Sequence, residues 1–346
     1  MTVNIKRLTE ESAPLWNSYL DNHPDANLYQ HLGWKRVFEE TFGYESHYLL
    51  SLNEKNEAQG ILPLFEMRDI TRKRYLVSNP FSNYAGILAN SAEIEQGLSA
   101  RAAQIAVEKK AQYVEFRQLQ KPLQQDLPAR DSFVTLMLQL AAEEDHWNKI
   151  SSRNRNKIRK AEKNGLTADF GMKYLAEFHD VYSINLRYLG TPIFPLRMFQ
   201  KVAEVFGEQV ELLVLKLDGV VVSGMFLFKF KDMISEPWVA SLRQYNKIYV
   251  NNLLYWQAIK YACANGFKTF DFGRSTIDTG TYNFKLQWDA EPVKLHYQYF
   301  LNLASGPPVV DATNNKYEAA ISIWKKLPLF VTNFIGPRLV QYLPEL

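Results

Sequence analysis

One ordered series of sequence patterns occurs twice along this chain, and it restricts the fold more than any other feature. In the first half an apolar run, YESHYLLSL, meets a turn at NEKNE and is followed by QGILPLFEMR, YLVSNPFSNYAGI, a helical stretch EIEQGLSARAAQIAVEKKA and a closing run YVEFRQ. In the second half QVELLVLKL turns at Asp218-Gly219 into VVSGMFLFKF, then DMISEPWVASL, a helical LLYWQAIKYACANG and a closing TFDFGRS. Turn formers between apolar runs mark hairpins, and a switch to 3.6-residue spacing marks each helix. Both series close on an acid and a Phe with an Arg just behind, as Glu115-Phe116-Arg117 and Asp271-Phe272-Gly273-Arg274. The order predicts an α+β chain of two domains of one design, with antiparallel hairpins followed by a strand–helix–strand unit.

A length of 346 residues is enough for two such cores. The junction falls where the apolar run Phe133 to Leu140 gives way to the basic SSRNRNKIRKAEKNGL, so the domains are expected at 1–145 and 146–310, with a helical tail at 311–346. Apolar residues at 47% and aromatics at 14% exclude disorder for the bulk of the chain. Forty Lys and Arg against thirty-seven Asp and Glu leave a net charge of +3, too mild for general nucleic-acid affinity, so any anion site is local. The single Cys263 lies on an apolar helical stretch, which excludes a disulfide framework or a cysteine metal site and fits a reducing cytoplasm. The six histidines show no H-E-x-x-H or comparable spacing, so no metal is expected. The charged N-terminus MTVNIKRLTEESAPLW does not read as a signal peptide, and no apolar run suggests a membrane span.

Several motifs resemble one family. RNRNKIRKAEKNGL is similar to the basic R-x-I-x-K-A-x-x-x-G helix of the FemAB family, and FDFGRSTIDTGTYNFKLQWDA to that family's FDFGG…GLYKFKKSFGA segment. SNPFSNYAGI, NLRYLGTP and VNNLLYW further resemble the branch associated with exosortase (PEP-CTERM) and exopolysaccharide loci. The resemblance implies two tandem GNAT-like acyltransferase domains that move an acyl or aminoacyl group to an amine of an envelope polysaccharide or peptidoglycan-type precursor. It implies no permanently bound cofactor. The donor substrate would be an acyl-CoA, an acyl carrier protein or an aminoacyl-tRNA, and the acceptor an amino-sugar or lipid-linked saccharide. Two departures bear on the donor. The long coiled-coil insertion of some cross-bridge enzymes is missing, which weakens transfer-RNA use, and the strand-to-helix corner YNKIYVNNLLYW lacks the R-x-x-G-x-G phosphate loop of ordinary acetyl-coenzyme A enzymes.

Acyl transfer to an amine needs aligned reactants, an amine free of its proton, and donors facing the developing oxyanion, but no covalent nucleophile. The absence of a G-x-S-x-G elbow agrees with that chemistry. Lys285, which matches the Lys of the family's FK pair, is the candidate for the oxyanion or leaving-group role; the plainer reading is a Lys snorkelling from a strand edge. Asp271 would accept the amine proton or orient Arg274, and Arg274 would hold a phosphate or carboxylate; a structural Asp–Arg pair is the alternative. Arg155, Arg159 and Lys163 share one helical face and either bind an anion or form a solvated surface. The family match suggests that Tyr182, Arg187 and Tyr188 face the acceptor site, the alternative being that they anchor the Gly-Thr-Pro turn, and Tyr282 is a further candidate for substrate binding. One of Asn251 and Asn252 is expected to cap the following helix and the other to bind donor. Asn83 and Tyr84, in a loop rich in turn formers, are expected to reach a cleft between the domains or to pack as an interdomain loop.

The tail YEAAISIWKKLPLFVTNFIGPRLVQYLPEL combines aromatics with Lys and Arg, and is expected either to cover the first domain or to touch the inner face of the cytoplasmic membrane. A competing function of another class is a non-catalytic scaffold that binds an anionic or lipid-linked saccharide.

Overall fold

The computed structural model describes residues 4–119, 121–124, 126–308 and 315–343. The chain forms two compact units. One comprises Met1–Phe133, Val293–Val310 and Gln341–Leu346; the other comprises Val134–Pro292 and Asp311–Val340. The first unit therefore completes itself with segments from the far end of the sequence, and the second begins at Val134. That moves the boundary expected at 145 back to 133 and hands 293–310 to the first unit. Nothing in the local pattern of the two exchanged segments marks which sheet will take them.

In the first unit the strands Leu49–Leu52 and Ala58–Leu62 form the first hairpin. Phe65–Arg68 and Arg74–Val77 form the second. The helix Ala92–Glu108 then crosses to the strand Ala111–Leu119, which lies parallel to Arg74–Val77 with Val77 opposite Glu115. Ser91 caps that helix by accepting from the Ile94 N–H, and Glu93 and Glu95 in its first turn suit the helix dipole. The strand Glu291–Leu301 pairs antiparallel on the other side, with Tyr299 opposite Glu115 and Tyr297 opposite Arg117.

The second unit repeats this plan. Val210–Leu217 and Val220–Phe230 form a hairpin whose turn is Asp218-Gly219, both at positive φ, as the sequence predicts. Met233–Ser235 follows, the helix Val250–Ala264 crosses over, and the strand Thr269–Thr276 returns parallel to Met233–Ser235 with Ser235 opposite Asp271. Phe133–Gln139 lies on the other side of that strand. The basic helix Ser152–Lys163 is capped by Ser151 and packs Ile158 and Ala161 into a core shared with Leu254, Ile259, Phe270 and Trp288.

The tail corrects another expectation in part. Its helices Asn315–Lys326 and Leu329–Leu339 lie against the helix Leu175–Leu189 of the second unit, while its end belongs to the first unit, where the Gln341 carbonyl accepts from the Tyr44 hydroxyl at 2.8 Å. Gly190, at φ 87°, ends that helix, and a Cβ there would stand 2.5 Å from Ile321 Cγ2, so glycine serves both the turn and the close approach of the tail. Residues 311–314 and 344–346 of the expected tail lie outside the described residues.

Candidate active site

The two parallel strands at the centre of the second unit part company at one point. Met233–Ser235 pairs with Thr269–Thr276 only as far as Asp271. After Glu236, Pro237 and Trp238, the chain resumes as Val239–Ser241, which pairs with Val220–Phe230 instead. Proline cannot donate a ladder hydrogen bond, so Pro237 suits the point of departure. A wedge opens beyond Asp271, and Glu236 and Asp271 stand at its apex, where the Glu236 N–H donates to the Asp271 carbonyl at 3.1 Å.

Four buried polar side chains meet there. Asp271 accepts from the Thr135 hydroxyl and, at 2.9 Å, from the Gly273 N–H. Tyr255, from the crossover helix, donates its hydroxyl to Glu236 Oε1 at 3.0 Å. Lys285 Nζ lies 3.9 Å from the same oxygen and donates to the carbonyls of Gly273 at 3.0 Å and Arg274 at 3.3 Å. Gly273 adopts φ 68°, a conformation costly for other residues, and so turns its carbonyl to the ammonium. Burial pushes the Glu236 carboxyl up to about 8, with the Asp271 charge adding to the effect and Lys285 and Tyr255 opposing it. Burial likewise lowers the Lys285 ammonium, against the pull of Glu236 and Asp271. A carboxyl that changes charge near neutrality, fixed in place by a phenol and a cation, can take a proton from an ammonium of similar acidity.

Lys285 is therefore not on a strand edge. It lies in the last turn of the helix Gly280–Leu286, which Thr279 caps by accepting from the Tyr282 N–H, and its ammonium is directed inward at backbone carbonyls. The half-buried Tyr282 packs against the apolar core of the second unit. Glu236 is the residue that motif reading passes over. Its one signal is an isolated acid in the apolar run MISEPWVASL, immediately before a proline.

The remaining expected residues are dispersed. Arg155 donates to the carbonyls of Trp147, Asn148 and Ile150 and so closes the end of the preceding helix Glu143–Lys149. Arg159 lies over the Trp147 ring at 5.3 Å and borders an open cavity of about 550 Å³ that Glu143, Glu144 and Glu162 also line, an acidic setting that does not favour an anion. The pair is a structural feature of this helix, not a cleft of positive charge. Asn251 and Asn252 do not cap their helix, which begins one residue earlier with Tyr249 at its N-cap and no side-chain cap. Asn251 instead accepts from the Ser241 hydroxyl, and Asn252 is buried. Tyr182 is buried among Phe178 and Phe199, so it faces the core and not an acceptor. Arg187 donates to the Leu327 carbonyl at 2.6 Å and thereby fastens the tail. Tyr188 is exposed, with the Arg243 guanidinium 3.6 Å from its ring centroid. In the first unit Tyr84 is buried against Tyr29, and the Asn83 carbonyl accepts from Tyr297.

Among the described residues one group of possible metal ligands gathers, Glu45, His47 and Glu66 of the first unit, within 4.8 Å of one another. Cations already stand against it. Lys109 Nζ is 2.7 Å from Glu45 Oε1 and 3.6 Å from Glu66 Oε2, and Arg7 donates to His47 Nδ1, which leaves the imidazole proton on Nε2. No helix among the described residues is long and apolar enough to cross a membrane.

Comparison with known proteins agrees with this arrangement. The family model for the acetyltransferase (GNAT) domain matches residues 148–286, the stretch that holds Glu236, Asp271 and Lys285. None of the curated proteins matches the sequence. Among solved structures, FemX superimposes with a TM-score of 0.63 at 16% identity over 85% of this chain and 97% of that one. A tandem GNAT protein from the clavulanic acid biosynthesis pathway gives 0.58 at 10% identity over 89% of this chain and 100% of that one. L-PGS from Bacillus licheniformis gives 0.54 at 13% identity over 97% and 98%. At such identities the likeness is one of fold. The chain is thus built as a tandem pair of GNAT folds, and its second unit carries an acetyltransferase (GNAT) domain.

Proposed function

We propose that the second unit transfers an acyl or aminoacyl group from an activated donor to an amine, with Glu236 as the proton acceptor. The observation that carries this reading is the buried Glu236 carboxyl, raised to about 8, at the apex of the wedge between two separating strands. The amine nitrogen attacks the donor's carbonyl carbon, the amine proton passes to the Glu236 carboxylate, and the C–S or C–O bond breaks so that the donor leaves as its thiol or alcohol, taking up the proton that Glu236 received. Lys285 serves as a positioning residue: it holds Glu236 and the Gly273–Arg274 backbone in register and balances charge as the carboxyl ionises. That role replaces direct contact with an oxyanion, because the ammonium is already engaged by two carbonyls. Asp271 keeps the strand end rigid through Thr135 and Gly273.

The fold likeness to FemX agrees with the FemAB resemblance of the motifs, and that resemblance favours an amine of an envelope saccharide or peptidoglycan-type precursor as acceptor. An acyl-CoA, an acyl carrier protein and an aminoacyl-tRNA are the donor classes to try. Incubation with a panel of these donors and of amino-sugar nucleotides, followed by mass spectrometry, tests the reading. A product whose mass rises by one acyl or aminoacyl group in the wild type, and is lost in Glu236→Gln, supports it; a product formed equally by both removes Glu236 from the chemistry.

A further inference from the structure

Among the described side chains, the outer face of the tail in the second unit is apolar and aromatic. Phe330 and Phe334, one turn apart on the helix Leu329–Leu339, are 75% and 63% exposed, and Ile323 on the neighbouring helix is 61% exposed. The end of the helix Leu175–Leu189, against which the tail packs, adds Tyr188 and Leu189, both more than half exposed. Monomeric proteins seldom gather large apolar side chains in this way without a use for them. These residues are held in place, since Arg187 ties the tail to that helix through the Leu327 carbonyl and Gly336 packs against Ile193.

The charge near them in sequence is mostly of one sign, with Asp180 and Glu318 at the edges of these segments. Residues 181–190, 239–257 and 319–340 contain Arg187, Arg243, Lys247, Lys325, Lys326 and Arg338 and no Asp or Glu, in a chain whose Lys and Arg otherwise nearly balance its acids at 40 to 37. Two of these cations lie over exposed rings, Arg243 at 3.6 Å from the Tyr188 centroid and Arg338 at 4.0 Å from that of Phe334. Aromatic rings that carry cations at their faces suit the boundary between headgroups and acyl chains, where the ring enters the apolar layer and the cation meets phosphate. A second copy of this chain would have to bring six like charges against six.

We infer that this face docks on a bilayer rich in anionic lipid. The inference stands on the surface alone and does not depend on the acyl-transfer reading, so either can fail without the other. The test is flotation of the full-length protein with vesicles of phosphatidylcholine alone and of phosphatidylcholine with about a third phosphatidylglycerol. The wild type is expected to float with the anionic vesicles and to be released by high salt, since the attraction falls off within a Debye length. Phe330→Ser with Phe334→Ser is expected to lower the bound fraction about tenfold at unchanged lipid. Lys325→Glu with Lys326→Glu, which leaves the apolar contacts in place, is expected to abolish the preference for anionic vesicles. Wild-type protein that stays soluble with both vesicles, or phenylalanine variants that float like the wild type, would overturn the inference. So would light scattering that shows a dimer dissolved by the phenylalanine variants without any flotation.

Discussion

The strand that closes each helix crossover has been built twice, and the two versions are used differently. In the first unit Glu115 sits opposite Val77, and its carbonyl accepts from the Ser78 N–H at 3.0 Å; in the second Asp271 sits opposite Ser235, and its carbonyl accepts from the Glu236 N–H at 3.1 Å. Two residues further on stand Arg117 and Gly273. Arg117 is fully buried, pairs with Glu115, donates to the Ser82 carbonyl at 2.8 Å and lies against the Tyr297 ring. Burial works most strongly against its charge, but Glu115, Tyr297 and Tyr299 together outweigh burial and hold the guanidinium charged. That version is a closed, buried ion pair.

Gly273 supplies no side chain, so the cation must come from elsewhere, and Lys285 enters from the helix Gly280–Leu286. It is shared between Asp271 and a second acid, Glu236, where the first unit has Ser78. One cation near two buried acids leaves a carboxyl under-compensated. The comparison teaches that one backbone plan becomes inert or reactive according to whether its buried acid is matched by a neighbour in sequence.

The largest effect should follow from Glu236→Gln, which keeps the size of the side chain and removes the base. The rate of acyl transfer should drop by about 10²–10⁴, with little change in thermal stability. Equal rates in a steady-state assay with a verified substrate pair would put the two units back on the same footing.

Lys285→Met should lower the rate by about 10²-fold and cost about 3–5 kcal/mol of stability, because one partner of a buried pair is removed. It also sharpens the comparison. Without the cation the Glu236 carboxyl is raised further, so the pH midpoint of activity should move upward in this variant, an effect that loss of packing alone would not produce.

The counterpart in the first unit is Arg117→Met, which strands Glu115 in the core. Denaturant melts should show a loss of about 3–5 kcal/mol while kcat of the folded protein is unchanged, and the double variant Glu115→Gln with Arg117→Met should recover most of that loss. A fall in kcat here at full stability would show that the first unit also takes part in the chemistry.

The smallest effect belongs to the basic helix. Arg155→Gln frees three carbonyls at a helix end and should cost about 1 kcal/mol, read as a small fall in Tm, without altering the salt dependence of substrate binding. A flattened salt dependence would restore the anion-site reading that the sequence alone suggested.

Much of this plan was legible before any coordinates. The repeated series located both hairpins, both crossover helices and both acid-Phe strands because each rests on local periodicity and turn chemistry, as at Asp218-Gly219. The exchange of Phe133–Gln139 and Glu291–Leu301 between the units was not legible, since sheet membership of an apolar strand is decided by distant partners. Lys285 was found by motif but given the wrong setting, because a seven-residue helix shows too little periodicity to be told from a strand edge. Glu236 stayed hidden for a physical reason as well: its reactivity comes from burial beside Asp271, Tyr255 and Lys285, which lie far apart in sequence.

The central claim is that Glu236, and nothing equivalent in the first unit, accepts the proton during transfer. It is tested most directly by the pH dependence of kcat/KM for the wild type and for Glu236→Gln, with an acceptor amine of known pKa well below 8. The carboxylate is the active form, so the wild-type rate should rise with pH through a midpoint near the value of about 8 that burial imposes on Glu236. The variant should be slow and lack that midpoint. A wild-type profile that is flat from pH 6 to 9, or a midpoint near 8 that survives in Glu236→Gln, would contradict the account.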